Sequence, residues 1–152
     1  MNVLDVLHHD HLEVAKLLDK AAEETDHARL AKLFQSIRQD FEAHAHAEEA
    51  LFYPQLQRIG SKAADAVAKA IAQHGEAIII LIEMAKLTPG EHQFASKLRA
   101  FTHAVQTHVK HEETVMFPLM REHFPQETES MGPEMKRQEK AFKAEGDGKD
   151  LR

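Results

Sequence analysis

His44-Ala45-His46-Ala47-Glu48-Glu49-Ala50-Leu51-Phe52-Tyr53-Pro54 recurs once, in the same order, as His108-Val109-Lys110-His111-Glu112-Glu113-Thr114-Val115-Met116-Phe117-Pro118. Both copies read H-x3-E-E-x4-P. Side chains four apart on an α-helix share a face about one turn from each other, so His44 with Glu48, and His108 with Glu112, are two pre-paired N,O chelates. His11 precedes His44 by 33 residues and His74 precedes His108 by 34, which makes the repeat a whole hairpin. The spacing predicts one helical hairpin used twice, with a metal site between the copies.

Four helical patterns surround these stretches. The first runs from about Val3 to Glu24, with Leu4, Leu7, His11, Val14 and Leu18 on one seam. The second starts after an Asp26 N-cap and carries Leu30, Phe34, Ile37, Phe41, His44, Glu48 and Leu51 in register. Pro54 is expected to kink or end it, and Gly60-Ser61 to supply a stop and a fresh N-cap. Val67, Ile71, His74, Ile78 and Leu81 mark the third. Thr88-Pro89-Gly90-Glu91 then reads as an N-cap, a first-turn proline and a capping-box glutamate. The fourth carries Phe94, Leu98, Phe101, Val105, His108, Glu112, Val115 and Leu119, closed by Phe124-Pro125. Short connections between four helices imply an all-α, antiparallel up-down-up-down four-helix bundle over residues 1–125. Residues 126–152 form a charged C-terminal extension with room for a short helix around Glu134 to Lys143.

Composition narrows the function. The chain has 152 residues, enough for one domain with a real core. A formal net charge of −6 argues against nucleic acid or an anionic membrane surface as partner. There is no cysteine, which excludes disulfides, thiol chemistry and thiolate metal sites. The start of the chain has no basic segment leading into an apolar run, and the longest purely apolar run is Ala77 to Ile82, so a cytoplasmic location is expected. Twelve histidines without a terminal tag ask for a chemical reason.

The interruptions of the four seams are His11, His44, Glu48, His74, His108 and Glu112. A carboxylate in a bundle core costs several kcal/mol unless it is paired or bound to a metal, and here two stand there, each beside a histidine. At about 1.5 Å per residue, His11 and His74 lie about 21 Å before their hairpin turns, and His44 and His108 about 27 to 29 Å after theirs. Helix tilt absorbs the difference, so all six groups can meet in one core layer. The remaining histidines, His27 and His92 among them, fall off the seams and are expected at solvated positions. Glu49 and Glu113 neighbour the ligand carboxylates and read as supporting or solvated groups.

Four imidazoles and two carboxylates are too many for one tetrahedral zinc. Two six-coordinate ions bridged by Glu48 and Glu112 use the set better; iron suits such N,O sites, with manganese or zinc as substitutes. A zincin motif is absent, and so are the paired Glu-x-x-His of ferritin-like di-iron proteins, Gly-rich phosphate loops and G-x-S-x-G elbows.

The order His11, His44-x3-Glu48-Glu49-x4-Pro54, His74, His108-x3-Glu112-Glu113-x4-Pro118 resembles the hemerythrin-like (HHE cation-binding) domain family over roughly residues 1–125. The resemblance implies a non-haem di-iron centre in a four-helix bundle, with His11, His44, Glu48, His74, His108 and Glu112 in the ligand places. It also implies binding or sensing of O2, NO or peroxide, iron handling, or repair of iron centres. Two departures stand out. The oxygen-carrying branch has a second histidine one turn after the third-helix one, where this chain has Ile78; its fourth-helix carboxylate falls one residue later, where this chain has Glu113. Simple reversible oxygen carriage is therefore not the expectation, and the internal repeat favours Glu112 over Glu113.

Three functions compete. A di-iron protein would bind a small diatomic ligand or peroxide at an open coordination position. A di-iron redox enzyme would turn over peroxide or NO, or repair iron centres; no acid or base beyond the ligands is evident for it, and Tyr53 is the sole extra redox-capable group. A metal-stabilised bundle would serve protein interaction. The first is favoured, as a binding protein more than an enzyme, and nothing in the sequence names a protein partner.

Overall fold

The structure is a computed structural model and describes residues 1–147, so the last five residues of the expected tail, 148–152, lie outside the described residues. Helix α1 (Val3–Glu23) begins at a capping box: the Asn2 side chain accepts from the Asp5 N–H, and the Asp5 carboxylate accepts from the Asn2 N–H. Helix α2 (His27–Ala47) begins at Asp26, whose carboxylate accepts from the Arg29 N–H at 2.9 Å. The chain continues through a π-turn (Glu48–Phe52) into α3 (Tyr53–Gln57). Helix α4 (Ser61–Ala85) is next, then α5 (His92–His111), a second π-turn (Glu112–Met116), α6 (Phe117–His123), α7 (Pro125–Ser130) and α8 (Gly132–Asp147). Every element of the described residues is helical, and none of the helices is long and apolar enough to cross a membrane.

Pro54 does not end its helix. A proline has no N–H and crowds the carbonyl four residues back, and the chain accommodates both demands by winding wide just before it. The Tyr53 N–H donates to the Glu48 carbonyl, five residues back, and the Phe117 N–H to that of Glu112. Each π-turn thus begins at the core glutamate of its repeat. The wider turn precedes Tyr53, whose hydroxyl reaches Glu48 and Glu112, and Phe117, whose ring stacks on His11.

Two other boundaries differ from the pattern expected of the sequence. Glu91 reaches back to the Thr88 N–H at 2.6 Å, but the two residues close a turn, and α5 starts four residues after Thr88. Gly60 precedes α4 with φ 151°, a conformation open to glycine, while Ser61 is already helical.

Helices α1 and α2 pack together, as do α4 and α5, with further contacts of α1 to α5 and α2 to α4. Their apolar residues form two clusters. One holds Val14, Leu18, Phe34, Ile37, Phe41, Leu81, Phe94 and Phe101; the other holds Val3, Leu7, Phe52, Tyr53, Leu56, Val67, Met116 and Met120. Helices α1 and α4 run from the second cluster to the first, and α2 and α5 the other way. His11, His44, His74 and His108, with Glu48 and Glu112, fall where each helix crosses between the clusters, so a buried polar layer separates two apolar ones.

The C-terminal segment is more than a charged extension. Helix α8 packs along α1 and α2 and buries Met135 completely, which contributes about 2 kcal/mol by removing its side chain from water. A Cβ at Gly132 would collide with the Met1 carbonyl, so the chain's start is laid directly over the entry to α8. Lys143 pairs with Asp40 at 3.0 Å and Phe142 packs on His46.

Candidate metal centre

Glu48 and Glu112 have no solvent exposure, and the imidazoles of His11, His44, His74 and His108 are buried around them. His11 Nε2 lies 3.0 Å from Glu112 Oε1, His74 Nε2 3.0 Å from Glu48 Oε1, His44 Nε2 3.2 Å from Glu48 Oε1 and His108 Nε2 3.3 Å from Glu112 Oε2. The donors form two overlapping groups, His11–His44–Glu48–Glu112 and Glu48–His74–His108–Glu112, within each of which all ligand atoms lie within 4.8 Å of one another. Both carboxylates belong to both groups. The six side chains singled out in the sequence therefore stand in one layer of the core.

The outer ring nitrogens decide which atom each histidine turns inward. His44 Nδ1 faces Asp10 at 2.9 Å, His74 Nδ1 faces Glu49 at 2.7 Å, His11 Nδ1 faces Glu113 at 2.7 Å and His108 Nδ1 faces Gln73 Oε1 at 2.8 Å. Each of these oxygens is an acceptor, so each Nδ1 carries a hydrogen and donates it, and the Nε2 lone pairs converge on the carboxylates. The arrangement obeys the internal repeat: Asp10 and Gln73 precede His11 and His74, and Glu49 and Glu113 come directly after Glu48 and Glu112.

Lone pairs facing carboxylate oxygens repel unless a positive charge stands between them. His74 Nε2 and His108 Nε2 are also only 3.1 Å apart. His44 Nε2 and Glu48 Oε2 are buried and make no hydrogen bond, a costly condition for polar atoms out of water. This donor set of four imidazole nitrogens and two shared carboxylates fits hard-to-borderline divalent cations. Without a cation, protons take the role. Burial opposes charging His108, yet Glu112 and Glu48 outweigh it and hold its pKa at about 9; His44 is likewise pushed well up against burial, by Glu48 and Asp10. Glu112 is driven well below the carboxylate range because its neighbours' hydrogen bonds overcome its burial. The His11 hydrogen bond, against burial and with help from His8, brings Glu113 to about 2.

These directions set the pH response of the metal-free protein. His108 has a folded-state pKa above its ordinary 6.5, so its contribution to stability is complete below pH 6.5 and is lost as pH rises through about 9. The shift is worth on the order of 3 kcal/mol. We expect the melting temperature of the metal-free chain to fall across that window. Metal binding needs neutral imidazole, so the loaded chain should show metal affinity rising over the same window. Thermal melts of both forms from about pH 6 to 10 check the opposite trends.

Tyr53 enters the layer from the π-turn. Its hydroxyl donates to Glu112 Oε2 at 2.5 Å, with Glu48 Oε1 at 3.1 Å and His74 Nε2 at 3.2 Å. Phe117, its counterpart in the repeat, stacks on His11 without a polar atom. The sequence pattern marks Tyr53 only by its chemistry; the π-turn that aims it is not foreseen by a regular period. Asp10, Gln73 and Glu139 are also missed. Spacing could have found the first two, since they stand at matched places in the two hairpins. Arg38 is a further buried polar residue, 3.6 Å from Glu42, that the seams do not include.

An all-helical fold that buries two histidine–glutamate groups of this kind defines a cation-binding bundle. The profile of the hemerythrin HHE cation-binding domain matches residues 2–120, and the chain belongs to that family. A protein of Nostoc sp. (strain PCC 7120) named a DNA nickase is 29% identical over 137 residues, 90% of this chain and 38% of that protein. The chain thus spans well under half of that relative's length. The crystal structure of a hemerythrin HHE cation-binding domain-containing protein from Mycobacterium kansasii shares the fold, with a TM-score of 0.83, 24% identity and coverage of 95% of this chain and 89% of that one.

Proposed function

We propose that the chain binds two iron ions through His11, His44, Glu48, His74, His108 and Glu112 and serves as a di-iron protein for O2, NO or peroxide. The observation that carries this reading is the pair of buried donor groups sharing Glu48 and Glu112. Iron held by these residues would supply redox chemistry toward a small molecule. The chain's residues supply the rest. Asp10, Gln73, Glu49 and Glu113 lock the four imidazoles with Nε2 inward. A cavity of about 290 Å³ between α1 and α5, lined among others by His8, His11, Leu12, Val105, Val109 and Glu113, lies beside His11, and we take it as the approach for a small molecule. Ile78, where an oxygen carrier has another histidine, packs at the edge of the apolar cluster and offers no donor, which favours sensing, handling or redox use over reversible carriage.

A nucleic-acid activity, suggested by the name of the Nostoc relative, has less support. The net charge of −6 disfavours phosphate contact. Anaerobic iron loading followed by elemental analysis, with optical spectra before and after admitting air or NO, tests the main reading. Two iron ions per chain and a ligand-dependent spectrum are expected. One metal or none overturns the di-iron assignment, and nicking of supercoiled plasmid by the loaded protein would favour the other activity.

A further inference from the structure

The two halves of the centre differ behind one histidine. His108 Nδ1 donates to a neutral amide, Gln73, whereas His44 Nδ1 donates to a carboxylate, Asp10, at 2.9 Å. Asp10 is itself backed by a second carboxyl. A carboxyl oxygen of Glu139 of α8, one of Asp10 and a ring nitrogen of His44 lie within 4.8 Å of one another, and Glu139 Oε2 lies 3.9 Å from His44 Nδ1. The Glu139 side chain is only 14% exposed, and that oxygen is buried without a hydrogen bond. Nothing in the packing of α8 requires a carboxyl there: buried Met135, the Lys143–Asp40 pair and the Phe142–His46 contact already hold the helix. Helix α8 also lies beyond residues 2–120, the part of the chain that matches the family.

We propose that Glu139 is a positioning residue for the centre: through Asp10 it fixes the His44 ring with Nε2 turned inward, and so makes the His11–His44 half unlike the His74–His108 half. The C-terminal helix thereby takes part in the site. A carboxylate behind a ligand imidazole orients it and makes it a stronger donor, and losing such a partner costs about 10- to 100-fold in metal affinity. The proposal rests on the reading of His44 as a metal ligand.

Three variants of the full chain test it. Glu139→Leu keeps the bulk and removes the carboxyl. Glu139→Gln keeps a side-chain donor for Asp10. Lys143→Ala weakens the docking of α8 without touching Asp10. Two readouts are taken: the 15N-resolved imidazole signals of His44 in metal-free protein, and Co(II) and Fe(II) affinities by competition with a chelator. Glu139→Leu should shift the His44 Nδ1–H signal, which reports the contact with Asp10, and weaken one of the two metal positions about tenfold, leaving the other. Glu139→Gln should restore both readouts, and Lys143→Ala should change neither. Equal losses at both positions, or matching behaviour of Lys143→Ala and Glu139→Leu, would mean that α8 acts by general packing and overturn the assignment. Unchanged His44 signals and affinities in Glu139→Leu overturn it too. If the native chain binds no metal while His44 still responds to Glu139→Leu, the positioning role stands and the di-iron reading falls.

Discussion

Stripping metal from the loaded protein should lower its melting temperature by about 10 °C or more. A ligand that binds only the folded state at a thousandfold excess over Kd adds about 4 kcal/mol, and in a chain of about 150 residues each kcal/mol moves the transition by about 2–4 °C. His74→Ala should abolish most of that difference. It deletes the Nε2 that faces Glu48, frees Glu49 from its bond to Nδ1, and opens space beside Phe41 and Tyr53, which contact the ring. The metal-free form should also lose about 1–3 kcal/mol, because Glu48 stays buried with one partner fewer. His92→Ala is the matched control: His92 is exposed at the first turn of α5. His27, also exposed, is a poorer control than the sequence suggests, since its ring lies against the Gly90 backbone. Calorimetry with and without metal gives the answer. A melting temperature indifferent to metal in the native chain, or equal effects of His74→Ala and His92→Ala, would disconnect the polar layer from metal binding.

Periodicity made the four long helices and the six core donors legible in the sequence. Alternation of three and four along each seam depends on one number, the residues per turn, and that number holds over most of α1, α2, α4 and α5. The same regularity put His11, His44, Glu48, His74, His108 and Glu112 on inward faces, where the structure places them. It failed where the winding changes. The π-turns at Glu48 and Glu112 alter the residues per turn locally, so a constant period could not put Tyr53 over Glu48. It was also blind to partners across helices. Asp10 meets His44, and Glu49 meets His74, through tertiary geometry, although their regular places in the repeat were visible. The short helix expected around Glu134 to Lys143 lies within α8, but its docking on α1 and α2 escaped for another reason. Its charged residues dominate its composition, while Met135 and Phe142 carry its apolar contacts and Glu139 faces inward.

Tyr53→Phe should remove a visible phenolate-to-iron absorption band from the ferric protein while leaving the metal content unchanged. The phenol is almost fully buried, stacks on His74 and points its hydroxyl between the shared carboxylates. In the metal-free chain its proton is held far above the ordinary range, first by burial and then by the negative charges of Glu48 and Glu112. Cations placed among the same donors reverse that logic: a bound metal ion is the largest local charge and favours the deprotonated oxygen. Metal held among these donors would therefore act directly on the phenol that the metal-free layer keeps neutral. Only one half of the repeat can respond, because Phe117 stands at the corresponding place in the other. In the metal-free protein the substitution should be mild, since His108 and His11 still partner Glu112 after the hydroxyl is gone. Optical and resonance Raman spectra of the iron-loaded native and Tyr53→Phe proteins, with iron counted in both, decide the matter. A band common to both would show that the phenol keeps its proton and serves only as a hydrogen-bond donor to Glu112. Loss of iron along with the band would make Tyr53 a structural support of the carboxylates.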